Sequence, residues 1–203
     1  MNFIKIFLSV LLLSCFLSNA QNKGNFEYGF AVGPSLTSVT TFFDQQADPS
    51  FNFHARISGE YYFSDTWAMR AEVYYDNKGF ADGFVQDSNS NRIETDFNLT
   101  YITIPLKAGL HFGNNGNFYI NLGPYVGFLI NAEDSETSTD RKEFFRSTDF
   151  GFASGIGYMF DLSEKMRLSV EFNRQSGVLD IFENNPGNAS RNTKTALSIG
   201  LVF

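Results

Sequence analysis

The chain alternates from residue 26 to its last position. The cleanest stretch sets Phe51, Phe53, Ala55, Ile57, Gly59, Tyr61 and Phe63 against Asn52, His54, Arg56, Ser58, Glu60 and Tyr62. A period of two with unlike faces predicts a strand, and one residue of slip would exchange the faces, so the pattern also fixes the register. The same reading predicts strands over 26–38, 51–63, 67–75, 98–110, 118–131, 149–160, 166–175 and 192–203. In the last of these, Thr195, Leu197, Ile199, Leu201 and Phe203 oppose Lys194, Ala196, Ser198, Gly200 and Val202. No amphipathic helix competes with these eight strands.

The connections alternate long and short: 39–49, 64–66, 76–96, 113–117, 132–147, 162–165 and 177–191. An antiparallel meander with long loops at one rim and tight turns at the other has this rhythm. The fold class expected is all-β: an eight-stranded antiparallel up-and-down transmembrane β-barrel, its last strand paired with its first. Parity alone does not separate this from a soluble barrel, where the apolar face would point inward. Three features favour the membrane: the apolar final strand, the sorted loops, and aromatics gathered near the short-turn rim. Tyr61, Phe63, Trp67, Phe118, Tyr119, Tyr158, Phe160 and Phe203 are expected to form a girdle there. Arg56, Glu60, Arg70, Glu72, Lys107, Arg167 and Glu171 then point inward. Eight strands leave a lumen that side chains fill, so these charges are expected to pair, with inward glycines (29, 33, 123, 127, 151, 155 and 157) making room.

Composition agrees with this. With 24 Phe and 9 Tyr, aromatics reach 17% of 203 residues, and large aromatics suit strands and membrane interfaces. The net charge of −7 argues against a nucleic-acid partner. Residues 1–20 read as a cleaved signal peptide: Lys5, an apolar run from Ile6 to Leu17, then Ser18, Asn19 and Ala20 before cleavage at Gln21. The barrel domain is expected over 21–203. The sole cysteine, Cys15, falls in the signal peptide, so no disulfide supports the fold.

Four segments carry a family resemblance. Tyr101-Ile102-Thr103-Ile104-Pro105-Leu106-Lys107 resembles a "Y-x-x-I-P-L" signature, and Gly123-Pro124-Tyr125-Val126-Gly127-Phe128-Leu129 resembles the "G-P-Y-x-G-x-L" segment after it. Asp149-Phe150-Gly151 with Gly155-Ile156-Gly157 is similar to a "D-x-G…G-x-G" strand. Phe172-Asn173-Arg174 through Gly177-Val178-Leu179-Asp180-Ile181 resembles "Y-x-x-G-L-x-N-I", with Asp180 where Asn is usual. In order, they resemble PorT-like outer-membrane β-barrel proteins. The resemblance implies an outer-membrane location, lipid as the surrounding partner, and insertion by the barrel assembly machinery through a C-terminal strand ending in Phe203. It also leaves room for other envelope proteins as partners. It implies little about activity.

Candidate chemistry is sparse. His54 is expected on the lumen wall, beside Glu72 or Arg70; His111 ends the fourth strand. No Ser, His and acid group falls on one outward patch, so an enzyme is not expected. Asp134, Glu136, Asp140 and Glu143 share a loop with Arg141, Lys142 and Arg146, a mixture that reads as a solvated loop and not as a cation site. Phe144, Phe145 and 178–182 place apolar groups in an outer loop region, where rim packing is expected. No catalytic, cofactor-binding or metal-ligating set is expected, and no cofactor. The function expected is a structural, adhesion or assembly-partner role. The alternatives are a barrel enzyme acting on lipid or peptide, and a secreted lipocalin-like binder of a hydrophobic ligand.

Overall fold

A computed structural model of the protein describes residues 23–40, 48–86, 92–136, 140–185 and 187–203, with backbone alone at 82–86 and 92–93. The predicted signal peptide and the polar tip Asn89, Ser90 and Asn91 lie outside the described residues. Eight strands are present: β1 (Phe26–Thr40), β2 (Ser50–Tyr62), β3 (Trp67–Gln86), β4 (Arg92–Phe112), β5 (Phe118–Asp134), β6 (Thr148–Ser163), β7 (Met166–Gly177) and β8 (Arg191–Val202). Each pairs antiparallel with its chain neighbour, and β8 pairs with β1, closing the barrel.

The seam runs to the final residue. Leu201 lies opposite Phe30 and Ile199 opposite Val32. Beyond β8, Phe203 N donates to Tyr28 O at 2.8 Å and Tyr28 N donates to Phe203 O at 3.1 Å. The Phe203 ring stacks on Tyr28 at 5.6 Å. Closure removes the free sheet edge, whose unpaired N–H and C=O groups would be costly in hydrocarbon.

The apolar row faces outward. Ile57 is 62% exposed while its neighbour Arg56 is 5% exposed, and the same inversion holds around the barrel. Phe30, Val32, Leu106, Leu122, Phe152, Ile156, Phe172 and Ile199 are exposed; Glu60, Arg70, Glu72, Lys107, Glu171 and Lys194 are buried. A lipocalin-like binder needs the opposite arrangement. The short-turn rim carries the expected aromatics, with Phe118 against Tyr158 at 4.5 Å and Tyr158 against Phe160 at 4.6 Å. Tyr119 is the exception. It is buried, and its ring stacks on His111 at 5.6 Å inside the lumen. Its odd position on β5 gives it the inward parity of Asn121 and Tyr125.

Most strand ends move by up to three residues from the sequence reading, and two stretches differ in more than their ends. The predicted loop 76–96 is mostly strand: Asn77 through Phe80 pair with Thr100 through Phe97, and after an irregularity Gly83 through Gln86 pair with Thr95 through Arg92. Outside lipid a hairpin needs no apolar outer face, so the contrast that betrays a strand fades while the backbone pairing continues. The register shift between Phe80 and Gly83 also breaks the period. On β5 a bulge sets Thr100 opposite Asn131 but Tyr101 opposite Leu129. Asn131, expected inward, is half-buried, and Ala132 and Asp134 turn inward instead.

The β4–β5 turn shows why its residues are Gly and Asn. Gly113 (φ 82), Asn115 (φ 55) and Gly116 (φ 66) all adopt the left-handed region. In the β2–β3 turn, Ser64 Oγ accepts from Trp67 N at 2.8 Å.

Candidate functional site

The inward rows of eight strands converge on one axis, so the lumen is where this chain concentrates its chemistry. Near the short-turn rim, Arg167 on β7 pairs with Glu27 on β1, and Tyr62 donates to the same carboxylate at 3.0 Å. Glu60 sits one step higher. It takes Arg70 Nη2 at 2.6 Å on one oxygen and His111 Nε2 at 2.9 Å on the other. Arg70 lies over the Tyr119 ring at 4.6 Å. His111 is thereby a lumen residue, also 3.2 Å from Gly116 O through Nδ1.

Glu171 on β7 is the hub. Its carboxylate receives Arg56 Nη1 at 2.7 Å, Arg70 Nη1 at 2.9 Å and Asn121 Nδ2 at 3.3 Å, with Lys107 Nζ at 3.8 Å. Glu72 takes Arg56 at 3.0 Å and Lys107 at 2.6 Å. Three cations (Arg56, Arg70, Lys107) meet three carboxylates (Glu60, Glu72, Glu171), so the middle of the lumen is neutral. Sequence parity places all six.

A second ionic layer lies toward the long-loop rim. Lys194 pairs with Asp76, and Lys78 reaches Asp149 at 3.2 Å and Asp76 at 4.0 Å. Tyr125 and Asn192 donate to Asp149 at 3.1 and 3.2 Å, and Gln175 to Asp76 at 3.2 Å. Two cations meet two carboxylates. Asp76 and Lys78 are absent from the sequence reading because they fall in the stretch assigned to a loop. The signal was present: both continue the inward parity of Glu72 and Tyr74.

Between the layers, His54 corrects an expectation. Its Nε2 lies 2.8 Å from Ser198 Oγ, not against Glu72 or Arg70, and Asn173 Nδ2 donates to the same hydroxyl at 2.8 Å. A Ser–His contact is half of a nucleophile–base pair. Here Nδ1 has no hydrogen-bond partner to orient the ring, and both side chains are buried between ionic layers. The contact packs the lumen.

Above the upper layer an apolar cap closes the long-loop end. Val39, Phe80, Phe97, Leu99, Tyr101, Leu129, Ala132, Phe145 and Ile181 form one buried cluster, with Phe182 packed against it. Phe145 and Ile181 come from the outer loops, so these two pack as expected, whereas Phe144, Val178 and Leu179 stay exposed. Replacing Phe145 by alanine should open this cap. We expect several-fold faster protease cleavage within 132–147 on intact outer-membrane vesicles, with heat-modifiable gel migration unchanged.

The acidic loop does not converge. Asp134 turns inward to Arg141 at 2.8 Å, and Asp140 Oδ1 accepts from Lys142 N at 2.9 Å. Among the described residues, no group of three His, Cys, Asp or Glu could hold a metal. Lumen packing is tight elsewhere. A side chain at Gly157 would meet the Tyr119 ring at 2.3 Å, and one at Gly155 would meet Glu171 at 2.9 Å. A hollow bordered by Arg56, Ser58, Glu60, Arg70 and Tyr119 holds about 10 Å³, close to the least that admits one water.

A closed antiparallel barrel with an apolar exterior and an ion-paired interior defines an integral β-barrel membrane protein. The outer membrane protein beta-barrel domain family matches residues 19–183, and the chain belongs to that family. Its location is therefore the outer membrane, with lipid around it. No curated protein matches the sequence. Similar solved structures include the attachment invasion locus protein Ail of Yersinia pestis in complex with the heparin analogue sucrose octasulfate, at 15% identity and TM-score 0.47, covering 90% of this chain and 100% of that one. Neisserial surface protein A follows at 17% and 0.49, covering 86% and 95%, and OprG of Pseudomonas aeruginosa at 14% and 0.48, covering 91% and 99%. At these values the likenesses say nothing of role.

Proposed function

We propose that the protein is a non-enzymatic, non-conducting barrel of the PorT-like type that works through its outer rim, as an adhesion or assembly partner of other envelope components. The observation that carries this is the closed lumen: two neutral ionic layers beneath an apolar cap. Among the described residues, a lumen so filled offers neither a diffusion path nor a substrate cleft. What remains available for contact is the loop surface, where Phe144, Val178 and Leu179 stay exposed. Signal-peptide export and insertion by the barrel assembly machinery through β8 complete the reading.

In planar bilayers the protein should give no discrete conductance steps; stable open-channel steps would overturn the closed lumen as the basis of function. Photo-crosslinkers placed at Phe144 and Leu179 in intact cells should give a discrete protein adduct that a crosslinker at Ile57 does not. Identical adduct patterns from all three positions would overturn an outer-rim partner.

A further inference from the structure

On β7 the lipid-facing row ends early. Leu168, Val170 and Phe172 point outward, and the next outward position is Arg174, which is exposed. Ser154 on β6 and Thr195 on β8 lie opposite it, and Ser176 follows it on β7. Exposed apolar side chains enclose these four polar ones. Phe172 and Leu197 lie deeper on β7 and β8. Phe152 stands opposite Ser176, Leu36 stands opposite Thr195, and Val178 closes the patch toward the long loops. The arginine therefore projects from the lipid-facing wall and not from a polar rim.

Arg174 makes one hydrogen bond, from Nη1 to Thr195 Oγ1 at 3.2 Å, and among the described residues it has no ion pair. No Asp or Glu occurs in the outward rows around it, from Thr148 to Phe160 on β6, from Leu168 to Ser176 on β7 and from Arg191 to Leu201 on β8. Ser154, Ser176 and Thr195 donate to no described acceptor. A charge against hydrocarbon is costly and takes a partner of opposite sign. The wall supplies none, so the counter-charge comes from the medium. Arg174 lies in the half of β7 nearer the long loops, which is the outer leaflet. The negative group within reach there is a lipid headgroup. A guanidinium fork matches phosphate oxygens, and hydroxyls on the two strands beside it suit a tetrahedral oxyanion better than a planar carboxylate.

We propose that this patch binds the phosphate of an anionic lipid in the outer leaflet. Arg174 pairs with the phosphate, the Ser154, Ser176 and Thr195 hydroxyls donate to it, and the acyl chains lie over Phe172 and Leu197. This goes beyond the adhesion or assembly role and depends only on the membrane location, so its test can fail without touching that reading.

The test uses the mature chain in nanodiscs containing equimolar phosphatidylglycerol and phosphatidylcholine of matched chains. Both carry a phosphate diester, but in phosphatidylcholine a choline cation neutralises it and opposes the guanidinium. The net charge of −7 works against anionic lipid in general, so a preference for it reports a local site. Lipid retained on release from the disc is quantified by mass spectrometry. The wild-type protein should retain phosphatidylglycerol over phosphatidylcholine by about fivefold, the scale of one arginine at an anionic surface. Arg174→Gln should bring the ratio to about one, and Arg174→Lys should keep part of the preference, because the charge stays while the fork is lost. Arg146→Gln, in an outer loop away from the patch, should leave it unchanged. Folding of each variant is read from heat-modifiable migration. A wild-type ratio near one, a preference that survives Arg174→Gln, or an equal loss from Arg146→Gln overturns the proposal. So does a preference abolished by excess inorganic phosphate but not by chloride at matched ionic strength, since the site would then take free phosphate and not a lipid.

Discussion

Glu171→Ala should lower the unfolding free energy of the barrel in lipid vesicles by about 3–5 kcal/mol, the usual cost of removing one partner from a buried ionic network. Glu171 holds Arg56 at 2.7 Å and Arg70 at 2.9 Å and is fully buried. Without it, three cations share Glu60 and Glu72, and one positive charge is left uncompensated in a lumen with little room for water. Trp67, the only tryptophan, lies on the outer wall, and its emission follows the barrel leaving lipid during urea titration. Adding Lys107→Met to Glu171→Ala should recover part of the loss, because neutrality returns. A loss below about 1 kcal/mol would mean that the lumen is wet enough to screen its charges, the behaviour of solvent-exposed pairs.

The second large effect belongs to the opposite face. Ile57→Arg, near the middle of β2, should cost about 2–4 kcal/mol, the depth-dependent penalty for a cation against the bilayer centre. Phe144→Arg in the outer loop should leave the same unfolding curve almost unchanged. Ile57 and Phe144 are both exposed large hydrophobics, at 62% and 52%, so exposure alone predicts similar outcomes for the two. The contrast arises from the medium: one meets hydrocarbon and the other meets water. Equal, small effects would overturn the assignment of the β2 outer face to lipid.

The buried ions do not by themselves explain stability. Ionic networks in low dielectric roughly balance Coulomb gain against desolvation, and well-packed apolar groups often do as well. Their value here is specification. A lumen of balanced charges is satisfied in one register only: shifting β7 by two residues would take Glu171 from Arg56 and bring Asn173 or Ser169 in its place. The glycines reinforce this, since Gly155 and Gly157 leave space for Glu171 and the Tyr119 ring respectively and for little else.

Period two and the sorted loop lengths were enough, from the sequence alone, for the strand count, the antiparallel meander, the closing of β8 on β1 and the inward placement of Arg56, Glu60, Arg70, Glu72, Lys107 and Glu171. These are properties of successive residues on a pleated chain, so a linear reading recovers them. Tertiary structure alone decided which charges meet. Glu171 and Arg56 are 115 positions apart in sequence, and their contact depends on strand stagger around the closed barrel, which no local period encodes. The same holds for His54 against Ser198, for the inward turn of Asp134 after the β5 bulge, and for the apolar cap in which Phe145 and Ile181 of two loops meet residues of four strands. The hairpin beyond Asp76 was hidden for a different reason. Outside the membrane its outer face is polar and its apolar residues, Phe80, Phe97 and Leu99, turn inward to the cap, so the apolar and polar faces exchange there and the row read from lipid-facing positions ends.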